Sequence, residues 1–93
     1  MALELTDFDA AKFLKTKEDV AAFLEDVFED GDPALIMHAL GVIARAEGLT
    51  EISRETGLTR ASLYKALSAE GNPEFATVLK VVRALGLKLT VAA

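Results

Sequence analysis

The stretch from Leu49 to Ser68, LTEISRETGLTRASLYKALS, leaves few ways to fold. It reads as two short amphipathic helices separated by Gly57. Ile52, Leu58, Leu63 and Leu67 fall on the sides that would face each other, with Ala66 beside them. Two helices meet closely at a fixed angle only where the crossing residue is small, and Ser53 takes that position. Gly57, four residues on, supplies the left-handed backbone that such a turn requires. Thr50 and Thr59 stand where a hydroxyl would cap each helix. These signals coincide, so a rigid helix-turn-helix is expected here.

The flanking sequence is marked off by its own stops and starts. Thr16 is placed to cap a helix, with Asp19 reaching back as a short form of the capping box. Val20, Leu24, Val27 and Phe28 follow at helical spacing, with Phe23 beside them, opposite Glu18, Glu25, Asp26 and Glu29. Gly31 ends that helix, and Asp32-Pro33 starts another, a capping carboxylate followed by proline where no N–H is needed. From Pro33 to Glu47 apolar residues run nearly all round (Leu35, Ile36, Ala39, Leu40, Val42, Ile43, Ala44), as in a central, buried helix. Gly41 within it marks either a close helix crossing or a tolerated imperfection. Gly48 closes the helix.

After the helix pair, Glu70-Gly71-Asn72-Pro73 is a loop. Asn72 is the expected cap of a last helix starting at Pro73, whose core stripe is Phe75, Val78, Leu79, Val82 and Leu85, and which Gly86 stops. Ala2–Thr6 and Leu87–Val91 alternate as strands do, and Phe8, Ala11, Phe13 and Leu14 suggest a helical turn or an apolar anchor. A lone strand needs a partner: the other terminal arm, a copy in a second subunit, or another protein's sheet edge. The expected fold is a single all-α domain of five helices with short terminal extended segments.

Composition narrows the chemistry. An apolar fraction of 52% is too high for disorder. No apolar run approaches the roughly 20 residues of a membrane helix, and no basic-then-apolar leader opens the chain. Cysteine is absent and His38 is the single histidine, which disfavours zinc sites, disulfides and nucleophile–histidine catalysis. His38 is expected to be a packed or surface imidazole. A cytoplasmic, cofactor-free, metal-free and non-enzymatic protein is expected.

Charge divides the chain. The first 48 residues carry eleven acids against four bases, whereas the remainder carries six bases against four acids. The acid therefore lies outside the helix pair. In a DNA-reading helix-turn-helix the first helix braces the second, whose N-terminal residues meet base edges in the major groove. With Leu63 and Leu67 inward, Arg60, Ala61, Tyr64, Lys65 and Ser68 are left on or near the outer face. Arg60 suits guanine O6 and N7, Lys65 a base or a phosphate, and Ala61 a thymine methyl. Thr59, Ser62 and Ser68 suit phosphate oxygens, and Thr50 joins them as a helix-start hydroxyl. Tyr64 is ambiguous: it stands on or near the outer face, yet its ring can pack against the next helix while its hydroxyl reaches the backbone.

From Asp32 to Leu89 the sequence resembles the lambda-repressor-like, Xre-type helix-turn-helix fold. Almost the whole chain resembles the probable addiction module antidote proteins, antitoxins of type II toxin–antitoxin pairs. The matching signals are DFDAAKFL, GDPALI, LTEISRETGLTRASLYKALS, EGNPEF and LKVVRALGLKL, in that order. One departure is Ser53, where alanine is more usual. The resemblance implies a small homodimer that neutralises a co-encoded ribonuclease-like toxin by direct binding. It also implies repression of its own operon at a palindromic operator.

A ribonuclease-like toxin is basic, which gives the acidic half a use. On that reading residues 1–31 face the toxin, chiefly through Glu25, Asp26, Glu29 and Asp30. Residues 32–87 then form the DNA-binding core, and 88–93 a strand or tail. The side of the last helix bearing Val81 and Arg83, with Leu87–Val91, is the expected dimer surface. Two other readings stand beside this one: a stand-alone phage or mobile-element transcriptional regulator without a toxin, and a protein-interaction module that has lost DNA binding.

Overall fold

The Thr16 side chain accepts a hydrogen bond from the Asp19 N–H at 3.0 Å, and the Asp19 carboxylate accepts one from the Thr16 N–H at 3.1 Å. This reciprocal cap opens α1, Lys17–Asp30, in a computed structural model that describes residues 14–93. The expected Ala2–Thr6 arm and the Phe8–Phe13 part of the apolar anchor lie outside the described residues. Gly31, at φ 81°, ends α1 and donates its N–H to the Val27 carbonyl at 3.2 Å. The Asp32 carboxylate accepts from the Ala34 N–H at 3.0 Å and starts α2, Pro33–Glu47. Three more helices follow: α3, Leu49–Thr56; α4, Arg60–Ala66; and α5, Phe75–Ala84. The described residues are all-helical, with five helices and no strand.

Helix α2 is central, as its apolar girth requires. It packs against α1, α3 and α4, while α3 also packs against α4 and α5. Ala39 to Ala44 are buried without interruption. Around them gather Val20, Leu24 and Val27 of α1, Ile52 of α3, Leu63 and Leu67 at α4, and Val81, Val82 and Leu85 at α5, in one apolar core. Each fully buried Leu, Ile or Val contributes roughly 1.5–3 kcal/mol relative to exposure. Gly41 is the point of closest approach: a Cβ there would stand 2.3 Å from the Leu67 carbonyl oxygen. The glycine is therefore a crossing residue, which resolves the alternative left open by sequence.

Several expectations are corrected by tertiary context. Thr50 does not cap α3. Gly48, at φ 109°, both ends α2 and serves as the first flanking residue of α3, so the helix begins at Leu49 and Thr50 lies inside it. Asn72 does not cap the last helix, and Pro73 does not begin it. Gly71 folds back so closely on α4 that an added Cβ would meet the Ala66 carbonyl oxygen at 2.2 Å. The chain needs residues 72–74 to leave that contact, so α5 starts at Phe75 with Glu74 as its flanking residue. Phe75, expected in the core stripe, is 69% exposed because it lies at the open first turn of α5, and Phe28 of α1 is 39% exposed.

Val81, expected on a dimer surface, is wholly buried in the core. Helix α5 packs against α3 and, through Val82, borders a groove lined by α1 residues, so its covered arc is wider than one stripe. Leu87–Val91, which sequence alternation marked as a strand, forms none among the described residues.

Candidate functional site

The turn between α3 and α4 is held by polar contacts from two side chains and one backbone N–H. Gly57 takes φ 76° and donates its N–H to the Ser53 carbonyl at 2.9 Å. The Ser53 hydroxyl donates to the Leu58 carbonyl, so Ser53 fastens the turn as well as fitting the crossing. Thr56, which sequence reasoning passed over, is the buried polar residue of the turn. Its hydroxyl donates to the Ile52 carbonyl at 2.7 Å and accepts from the Leu58 N–H at 3.2 Å. A threonine directly before the turn glycine was the available signal. Buried polar groups placed in this way specify one geometry, since leaving either backbone group unpaired is costly.

Thr59 caps α4 as expected, its Oγ1 accepting from the Ser62 N–H at 3.0 Å and donating to Ser62 Oγ at 2.9 Å. Leu63 is wholly buried within α4 and Leu67 is buried at its end, which turns the rest of the helix outward. Thr59, Arg60, Ala61, Ser62, Tyr64 and Lys65 are all exposed, and Ser68 is half-buried with its hydroxyl donating to the Lys65 carbonyl at 3.1 Å. Thr50 is brought to the same place from α3. Its hydroxyl accepts from Arg60 Nη1 at 3.4 Å, a long contact between exposed groups that the guanidinium leaves at little cost. Thr50 of α3 is thus brought beside Arg60 at the start of α4.

Tyr64, left ambiguous by sequence, stands on the outer face. The residue is 53% exposed. Arg45, from the last turn of α2, lies over it with its guanidinium carbon 6.0 Å from the ring centroid. That is the outer reach of a cation–π contact. Arg45 thereby adds a cation to the α4 side, and nothing in local spacing could have revealed it.

The acids of α1 form a separate face. Glu25, Asp26, Glu29 and Asp30 are all exposed, paired at i,i+4 along two adjacent rows, and none makes an ion pair with another described residue. Asp19, by contrast, is occupied by its cap. His38 is half-buried in α2, and among the described residues no group of three His, Asp or Glu is arranged to hold a metal. No described helix is long and apolar enough to cross a membrane.

These features define an all-helical protein with two differently charged faces, one of them on a braced helix pair. Comparison places it more narrowly. A family model for probable addiction module antidote protein matches residues 4–93, and the chain belongs to that family. It is 45% identical over 91 residues to an uncharacterized protein of Haemophilus influenzae (strain ATCC 51907 / DSM 11121 / KW20 / Rd), which covers 98% of this chain and 94% of the relative. No solved structure matches the chain. An antidote implies a toxin as its partner.

Proposed function

We propose that the chain is the antitoxin and autorepressor of a type II toxin–antitoxin module. In this reading α3 and α4 are a lambda-repressor-like, Xre-type helix-turn-helix that binds operator DNA, and the α1 face binds a basic, ribonuclease-like toxin. The observation that carries it is the outer face of α4. Arg60, Ala61, Tyr64 and Lys65 stand clear of a helix whose Leu63 is buried and whose start is capped by Thr59. A braced helix with exposed N-terminal donors suits the major groove. The modest positive charge of this half limits affinity per copy, so binding as a homodimer to a palindrome follows.

A mobility-shift titration with the DNA upstream of its own gene tests this. Arg60→Ala should cost about 1–3 kcal/mol and relax preference at one base pair, whereas Lys65→Ala should weaken all sequences alike and lower the salt slope by about one. Equal affinity for promoter and unrelated DNA in the wild type would remove the DNA half of the proposal. The toxin half is tested by converting Glu25, Asp26, Glu29 and Asp30 to lysine. Undiminished binding of the co-encoded toxin by that variant would remove the acidic face from the interface.

A further inference from the structure

Between α1 and the extended C-terminal tail lies an open groove of about 220 Å³. Its apolar lining is Ala21, Leu24 and Phe28 of α1, Val82 of α5, and Leu87 and Leu89 of the tail. Phe28 and Leu89 are the exposed large apolar residues on its walls, at 39% and 36%. The groove is smaller than the roughly 300–1,000 Å³ of small-molecule sites, and suits one bulky side chain.

Charge identifies what kind of polypeptide. Glu25 is part of the groove wall, and Asp26, Glu29 and Asp30 continue the acid past Phe28 along the exposed side of α1. Against these stands one cation of the opposite wall, Lys88. An aromatic on an acidic helix face has the form of an interface anchor, apolar at the centre and charged at the rim. A second copy would bring like charge to this rim.

We infer that the groove between α1 and the tail seats a single aromatic or branched apolar side chain of the basic toxin, flanked there by arginine or lysine. The inference rests on the toxin-binding reading and deepens it: acid attracts and orients the partner, while Phe28, Leu89 and the groove hold it. Rim charges act mainly on the rate of encounter, and the buried anchor acts on the rate of escape.

The test uses the full-length chain and the purified co-encoded toxin, with affinity measured by calorimetry across a salt series. Phe28→Ser removes the wall, and Ala21→Trp fills the groove from a half-buried position. Both should lower affinity by about 30-fold or more, the range of an interface hot spot, and leave the salt dependence of binding unchanged. Circular dichroism melting shows that each variant is folded.

Charge reversal of the four acids should instead flatten the salt dependence. With p-benzoylphenylalanine in place of Phe28, photocrosslinks should fall on an apolar toxin residue beside a basic one. Full affinity in both groove variants, with loss on charge reversal, overturns the groove and leaves the acidic-face reading intact. Crosslinks to residues 1–13 of the same chain, or to a second copy, assign the groove another occupant and overturn it too. No binding of toxin by the wild type overturns both readings.

Discussion

Replacing Gly41 with alanine should disturb the helix pair from a distance. In an exposed helix interior the change would stabilise by about 1 kcal/mol, because alanine loses less backbone freedom on folding. Here the new methyl would stand 2.3 Å from the Leu67 carbonyl oxygen and 3.4 Å from its carbon. That obstacle is backbone at the end of α4, so no rotamer change relieves it. The end of α4 must move away from α2 by about an ångström for the contact to become ordinary.

Overpacking of this kind costs about 1–3 kcal/mol and more when backbone must move, so a net loss near 2 kcal/mol is expected after the helix gain. For a domain of this size that lowers Tm by about 8–16 °C. Urea and thermal unfolding followed by circular dichroism measure it. If α4 reads DNA as proposed, the displaced helix carries Arg60 and Lys65, and preference for promoter over unrelated DNA should fall further than nonspecific binding does. A Gly41→Ala protein as stable as the wild type would refute the crossing that this reasoning assumes.

Thr56→Val keeps shape while stranding the Leu58 N–H and the Ile52 carbonyl bond at the turn, and should cost about 1–3 kcal/mol in urea unfolding. A change within about 0.5 kcal/mol would show the turn is held by Gly57 and Ser53 alone. Thr59→Ala should remove about 1 kcal/mol through the lost cap, and Thr59→Ser should restore most of it in the same assay. Val81→Ala should cost about 2 kcal/mol, since its side chain is wholly buried, yet leave self-association unaltered by sedimentation. Phe75→Ala, at a mostly exposed position, should stay within about 0.5 kcal/mol.

The locally written features were legible without coordinates. The capping box at Thr16, the Asp32-Pro33 start, the Gly31 and Gly57 stops and the Thr59 cap depend on groups within four residues of one another. The same holds for the inward set of Leu63 and Leu67, because helical periodicity alone separates them from Arg60, Ala61 and Lys65. Charge partition between the two halves is likewise a property of order along the chain. Near misses occurred where local signals competed. Thr50 looked like a cap only as long as Gly48 was taken to end one helix rather than border two. Asn72-Pro73 looked like a helix start until the loop's return to Ala66 used up those residues.

Tertiary structure decided the rest, because a helical wheel shows which residues share a face and not how far a neighbour covers it. Val81 and Phe75 exchange their expected places for that reason: the middle of α5 is enclosed on more than one side, and its first turn is open. Gly41 became a crossing only when α4 was laid against α2. Arg45 joined the α4 side across nineteen positions of sequence to meet Tyr64. The groove beside Phe28 exists only because α1, separated from the tail by the whole helix pair, is folded back against it. Sequence determined the helices, most of their ends and the outward face of α4. Packing determined which apolar residues remain uncovered, and so where a partner has something to hold.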